Sequence, residues 1–346
     1  MGGQGPGMAY GRDVVVVAAS AGGLDPLRVL LSGLPADLPA SVLVVLHVPA
    51  TGGRTLPRIL DRAGPLPAAA AADGERIVPG RVYVAPPDRH LLLIGDVARL
   101  SHGPRQNGVR PAADPLFRSA ALHAGPRVIA VVLSGALDDA ALGSATVERR
   151  GGRVLVQDPD DADHESMPRS AIAAVRQPTV AGAAGLAKHV IRLVTEETGM
   201  PFPSESQPDE ELAAEIGGLL ASAPETSTQF RAYSGFTCPE CGGPLYSARE
   251  DRAETYDCLV GHRWSPQSLL EEHSVSVERA LWLAIRSLDE RGRLTARLAD
   301  AARQRGHALT ARHFSKVAEE ARRSADAIRA VAGDMTAELA PSPGQA

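Results

Sequence analysis

Five short runs constrain this chain more than any other feature: DVVVVAAS (13–20), SVLVVLHV (41–48), RVYVAPP (81–87), RVIAVVLSG (127–135) and RVLVQD (153–158). Apolar residues at consecutive positions make a strand that is buried on both faces, which requires a mostly parallel sheet covered by helices on either side. Helical spacing fills the gaps between them, as in LDPLRVLLSGL (24–34) and DPLFRSAALHAG (114–125). The expected fold over residues 12–195 is therefore α/β, a doubly wound and mainly parallel sheet. LLLIGDVARLSHG (91–103) breaks the pattern. Two short strands around Gly95-Asp96 predict an antiparallel hairpin on the sheet edge.

The rest of the chain changes character. Residues 196–232 are rich in Pro, Ser and Glu around one short amphipathic patch and read as a linker. A compact cysteine element follows at 233–266. From 267 to 335 apolar residues recur at helical spacing (Leu270, Val277, Leu281, Ile285, Leu288, then Leu309, Val317, Ala321, Ile328), broken at Arg305–His307. That pattern predicts an α-helical hairpin. The lead, 1–11, and the tail, 336–346, are expected to be flexible and disordered.

Charge and composition exclude several classes. The formal net charge is −5 and no polybasic block occurs, so neither nucleic acid nor an anionic membrane is an expected partner. No apolar run approaches the ~20 residues of a membrane helix, and MGGQGPGMAYGRD lacks the charged and apolar regions of a signal peptide. The 3 cysteines all lie between Cys238 and Cys258, which excludes a disulfide framework and suits a reducing cytoplasm.

Three strand ends carry chemistry. Ser20 follows the first run, His47 ends the second, and Asp138 and Asp139 follow the fourth, before a helix. Parallel strands deliver all of them to one sheet edge, where open α/β sheets bind ligands. A serine, an imidazole and a carboxylate are the parts of a hydrolytic triad. Ala21, Gly22 and Gly23 open the next helix, so small residues and N–H groups there suit a developing oxyanion. Each residue also has an ordinary reading: Ser20 and the aspartates as helix caps, His47 as a structural histidine. The Gly-Gly turn lacks G-x-G-x-x-G and a following Lys-Ser/Thr, which argues against a nucleotide loop.

The cysteine element reads Cys238-x₂-Cys241 and then Cys258-x₃-His262. A zinc-knuckle turn, a hairpin-length spacer and a second pair complete four ligands for a structural, closed Zn²⁺ site. With no fourth cysteine, His262 is the natural partner; His273 lies farther along, in expected helix. Such a zinc-ribbon-like element would draw much of its folding energy from the metal. Trp264 is expected to pack beside it. A protein-contact or structural role fits better than DNA binding. The helices after it are candidates for self-association or for docking on a helical protein, with a solvated hairpin lacking any partner as the alternative.

AASAGGLDPL, VVLHVPATGG, GRVYVAPPDRHLLL, NGVRPAADPLFRSAA, VVLSGALDDAALG and ESMPRSAI follow one another as they do in CheB-type chemotaxis-receptor methylesterases. The resemblance covers roughly residues 12–195 and implies a Rossmann-like doubly wound domain. It implies hydrolysis of glutamate γ-methyl esters on chemoreceptor helices, with deamidation of glutamine in some members and no catalytic cofactor. It places the nucleophile at Ser20, the base at His47 and the carboxylate at Asp139, and it aligns Arg110 and Asp114 with the loop bordering the site. The family pattern T-G-M-G-x-D-G-A reads Ser134-Gly135-Ala136-Leu137-Asp138-Asp139-Ala140-Ala141 here, so a methionine and two glycines are replaced. Ala21 stands for a usual threonine, Leu46 for a glutamine and Ala112 for a serine. Only about a dozen residues precede the first strand, too few for the family's usual receiver domain, so regulation by phosphorylation in cis is not expected. The competing readings are an esterase or amidase of another specificity and a catalytically silent binding protein.

Overall fold

The computed structural model describes residues 11–47, 55–196, 209–221, 232–250 and 253–338. The lead up to residue 10, most of the expected linker and the tail beyond 338 lie outside the described residues. The chain divides into two compact units, Met1–Leu269 and Leu270–Ala346.

The five apolar runs become β1 (Val14–Ala19), β2 (Ser41–Leu46), β5 (Val82–Val84), β8 (Val128–Val132) and β9 (Arg153–Gln157). With β3 (Ala68–Ala70) and β10 (Thr179–Ala181) they form one seven-stranded sheet in the order β10-β9-β8-β1-β2-β5-β3. Every pairing in it is parallel. Alternate residues of each strand enter different cores. Val14, Val16 and Ala18 pack with Leu116 and Phe117 of α3 (Ala113–Ala124), Val147 of α4 (Ala141–Arg149) and Met167 of α5 (Ser166–Ala174). Val15, Val17 and Ala19 pack with Leu27 and Leu30 of α1 (Leu24–Ser32), Leu60 of α2 (Leu56–Asp61) and Val190 of α6 (Ala183–Thr195). Both faces are thus dry, which is why valine can occupy successive positions. The chain winds outward from β1 in both directions, so the switch point falls between β1 and β8.

Two expectations change. The hairpin β6 (His90–Ile94) and β7 (Val97–Ser101) exists, but it pairs with β4 (Glu75–Arg76) in a separate three-stranded sheet instead of extending the main sheet. The segment read as linker contains α7 (Glu210–Ala221), whose Leu212, Ile216 and Leu219 are buried with Leu92 of the hairpin. An amphipathic face that finds an apolar wall becomes ordered, whatever the composition around it.

The cysteine element is a four-stranded antiparallel sheet of β11 (Ala232–Thr237), β12 (Pro244–Glu250), β13 (Ala253–Cys258) and β14 (Arg263–Trp264). Its small core holds Cys238, Leu245, Cys258, Trp264 and Leu269, and it belongs to the first unit. In the second unit, α8 (Pro266–Gln304, continuing beyond Leu269) and α9 (Ala308–Glu338) form the hairpin around a turn at Arg305–His307. Ile285, Ala299, Ala318 and Ala325 are buried between them, and Arg329 pairs with Asp289 across the seam. Among the described residues no helix is long and apolar enough to cross a membrane.

Candidate active site

Ser20, His47 and Asp139 converge at the C-terminal edge of the sheet, where β1, β2 and β8 end. His47 Nδ1 lies 3.0 Å from Ser20 Oγ and Nε2 lies 2.7 Å from Asp139 Oδ2. An ionised carboxylate only accepts, so Nε2 carries the ring proton and donates it to Asp139. Nδ1 is then the acceptor for the Ser20 hydroxyl. Backbone bonds fix the two strand ends that matter most: Ser20 N donates to Ser134 O and His47 N to Ala19 O, each at 3.0 Å.

Asp139 is 2% exposed. Burial opposes its charge, but the His47 contact, with the amides of Ala113 (2.5 Å, to Oδ2) and Asp114 (3.1 Å, to Oδ1), outweighs burial and pulls its pKa below the ordinary carboxylate value. Those amides are the first N–H groups of α3, which have no partner inside the helix. The neighbouring Asp114 behaves oppositely. Burial first, and then the Asp139 charge, push its pKa well above the ordinary value, while its Oδ1 accepts from Gly143 N at 2.7 Å. Two carboxyls with separated protonation leave one fixed charge facing the imidazole.

The nucleophile turn is closed tightly. Gly22 has φ +66°, and a Cβ there would stand 2.6 Å from Asp163 Cβ and 2.9 Å from Ser134 Oγ. Glycine is required by both the left-handed backbone and the space. Gly23 N donates to Ser20 O at 2.9 Å, so its amide closes the turn and is not aimed at a ligand. Ala21 and Gly22 remain the amides adjoining the nucleophile, and Ala21 is exposed. Arg110, which the resemblance sets as a substrate-binding residue in the loop bordering the site, is bonded within the protein. Its Nε and Nη2 donate to Asp88 Oδ1 at 3.0 and 2.7 Å, and its Nη1 donates to the carbonyls of His102 and Gly103. It ties the loop after β7 to the turn before β6.

Several residues that hold the site carry no signal in their sequence context. Ser134 Oγ donates to Ala21 O and accepts from His164 N, both at 2.9 Å, bracing the nucleophile turn. His90 is 0% exposed; its Nδ1 accepts from Ala112 N at 3.2 Å and its Nε2 donates to Pro104 O at 3.1 Å. Burial drives its pKa down to about 4, so it is a neutral peg under the loop that leads into Ala113. The loop carrying Asp139 is itself unusual: Leu137 has φ 61° and Ala140 has φ 75°. These are the two positions where a glycine of the family pattern is replaced; Gly135 keeps the third.

Cys238, Cys241, Cys258 and His262 are also brought together, with their ligand atoms all within 4.8 Å of one another. The Cys241–Cys258 sulfurs are 3.7 Å apart, and His262 Nδ1 lies 3.7 Å from Cys238 Sγ and 3.4 Å from Cys258 Sγ. A tetrahedron with Zn–S arms of about 2.3 Å has edges of about 3.8 Å, and these three separations are close to that. A disulfide would need about 2.05 Å. A hydrogen bond from Cys258, with others from His262 and Trp264, pulls the Cys238 thiol down to about 3 against the effect of burial. The cluster could bind a metal; the donor set is that of a closed structural site. Trp264 is buried and its Nε1 donates to Cys238 Sγ at 3.4 Å.

Comparison with known proteins agrees with this geometry. Residues 15–190 match the CheB methylesterase family model. The chain is 43% identical over 171 residues to protein-glutamate methylesterase/protein-glutamine glutaminase 3 of Anaeromyxobacter dehalogenans (strain 2CP-C), covering 49% of this chain and 50% of that protein. It is 44% identical over 156 residues to the protein named with number 4 in Myxococcus xanthus (strain DK1622), covering 45% and 44%. The chain thus spans about half the length of the curated relatives it matches. The crystal structure of the Thermotoga maritima CheB methylesterase catalytic domain is 32% identical with a TM-score of 0.51, covering 54% of this chain and 100% of that one. A match over just over half of its length, on the domain that holds the Ser20–His47–Asp139 relay, assigns the chain to the CheB methylesterase family.

Proposed function

We propose that the first unit is a serine hydrolase that cleaves glutamate γ-methyl esters on chemoreceptor-like helical proteins, with glutamine deamidation as the related reaction. The observation that carries the reading is the relay itself, Oγ to Nδ1 at 3.0 Å and Nε2 to carboxylate at 2.7 Å. Ser20 Oγ attacks the ester carbonyl as His47 Nδ1 takes the hydroxyl proton, and Asp139 steadies the imidazolium. The oxyanion forms beside the amides of Ala21 and Gly22, at the positive end of α1. Collapse expels methanol, which leaves with the proton from His47, and an acyl-Ser20 remains. Water attacks that ester with His47 again as base, releasing the glutamate carboxylate and restoring Ser20. For glutamine the leaving group is ammonia. No cofactor enters these steps.

A divalent metal, Zn²⁺ by its donor set, would be held by Cys238, Cys241, Cys258 and His262 in a structural role. The three free thiols fit a reducing compartment, the cytoplasm, where receptor helices would also be reached. The helical hairpin of the second unit, with Trp282 53% and Leu294 59% exposed, would serve self-association or contact with a helical partner.

Methanol release from a peptide carrying one glutamate γ-methyl ester tests the reaction, with Ser20→Ala as control. Turnover that is absent in wild type, or equal in Ser20→Ala, removes the hydrolase reading. Release from a generic alkyl ester at the same or higher efficiency moves the substrate away from methyl glutamate. Elemental analysis giving less than about half an equivalent of zinc per chain removes the metal.

A further inference from the structure

The ribbon is bonded to both backbone segments that hold Asp139. The two carbonyls flanking His262 accept from the turn at Gln106–Val109: Gln106 Nε2 donates to Gly261 O at 3.1 Å and Asn107 N donates to Arg263 O at 2.8 Å. Asn107 also accepts, its Oδ1 receiving Ser265 N at 2.9 Å. The Trp264 ring lies over Gly108, 3.3 Å from where a Cβ would stand. That turn runs directly into Ala112, Ala113 and Asp114, and the last two supply the amides on the Asp139 carboxylate.

The second segment is gripped by side chains. Ser265 Oγ donates to Asp138 Oδ1 at 2.7 Å, and Ser268 Oγ donates to the same oxygen at 3.1 Å. Ser268 N donates back to Ser265 Oγ at 3.0 Å, so Ser265 is also the N-cap of α8. Asp138 is thus anchored outside its own loop, between two non-glycine residues in the left-handed region, Leu137 at φ 61° and Ala140 at φ 75°. Such residues persist only where their surroundings over-determine them. The surroundings here include Ser265, where the ribbon ends, and Ser268 in the first turn of α8, beside the Ala113 and Asp114 amides on Asp139.

We infer that the ribbon is a positioning element for the triad. Ser265 and Ser268 hold Asp138, this keeps the left-handed loop in place, and Asp139 stays aimed at His47. The inference rests on the hydrolase reading above. The relay bonds run only between Ser20, His47 and Asp139, so Asp138, Ser265 and Ser268 act through Asp139. His262 sits between the two carbonyls that grip the Gln106–Val109 turn, so metal in the ribbon tightens the same hold.

The test uses the full chain and methanol release from the γ-methyl-glutamyl peptide. Ser265→Ala/Ser268→Ala and, separately, Asp138→Ala lower kcat by roughly 10- to 100-fold with KM within about twofold, as expected for a misplaced catalytic group. Asp138→Ala breaks the contact without touching the ribbon, so the result does not depend on ribbon folding. Adding Leu137→Gly/Ala140→Gly to either background restores most of kcat, because glycine holds the left-handed backbone unaided. Wild-type kcat in the clamp variants while Ser20→Ala is inactive overturns the positioning role and leaves the hydrolase reading intact. A fall that the glycine pair does not recover also overturns it, since that pattern marks general loss of folding. Equal turnover by Ser20→Ala and wild type removes the hydrolase reading itself. Hydrogen exchange supplies a second readout: a chelator speeds exchange at residues 104–114 and 134–141, and added Zn²⁺ reverses it. Unchanged exchange there overturns the coupling to metal.

Discussion

His90 makes stability of the first unit depend on pH in a direction and range that the structure specifies. Burial lowers its pKa from 6.5 to about 4, because charging the ring would mean a cation at a site with 0% exposure. Protonation would also turn Nδ1 into a donor facing the Ala112 amide that it now accepts from. In the unfolded chain the ring titrates at its ordinary value. Below that value the unfolded state binds more protons than the folded one, so the folded state loses ground as pH falls. The contribution is complete above pH 6.5 and is lost between 6.5 and about 4, with no further change below. A shift of this size corresponds to about 3 kcal/mol, a large share of a domain's typical margin. The assay compares wild type with His90→Gln by urea unfolding, in a Trp282→Phe background so that Trp264 fluorescence reports the first unit alone. Wild type is the more stable at pH 7.5, and its advantage shrinks by about 3 kcal/mol by pH 4. An advantage that stays constant across this range refutes the argument, and so does an NMR titration of His90 near its ordinary value.

Other outcomes follow from the same contacts. Asp139→Asn keeps the shape but disturbs the His47 tautomer, and kcat falls by about 10³–10⁴-fold in the methanol assay. Gly135→Ala places a Cβ 2.6 Å from Met167 Sδ and 2.8 Å from Ser20 Cβ, so thermal unfolding reports a loss of about 1–3 kcal/mol and turnover drops with it. Asp114, with its raised pKa, binds a proton in the folded state that the unfolded state has released above pH 3.8, so wild type loses stability with rising pH. Asp114→Asn keeps an acceptor for Gly143 N and removes that slope; a slope unchanged from wild type in urea unfolding contradicts the assignment.

The parts of the fold that were legible in the sequence are those whose residues announce their burial. Runs such as VVVVAA and SVLVVL can be satisfied only between two apolar layers, and both became central parallel strands. β3 is three alanines and β10 is Thr179–Ala181, too short and too plain to register beside them. α7 registers in the sequence only as a short amphipathic patch, because Pro, Ser and Glu surround it and the apolar wall it needs, Leu92, lies more than a hundred residues away. Ser20, His47 and Asp139 were legible because each ends or follows a strand of one parallel sheet. The support around them was not. Ser265 lies 127 residues from Asp138, and nothing in local pattern predicts a partner at that distance. The Ser-Pro start of α8 does signal a cap, but not what else the serine holds.

Leu137 and Ala140 also bear on how such a chain is inherited. Glycine at those positions would let the Asp139 loop stand by itself; other residues make it depend on a segment encoded more than a hundred codons downstream. The loop and the ribbon then form one unit of selection. On the positioning role proposed above, a chain without the cysteine element would keep Asp139 aimed at His47 only with glycine at both 137 and 140, and a ribbon grafted beside a loop with those glycines would gain no such hold on it.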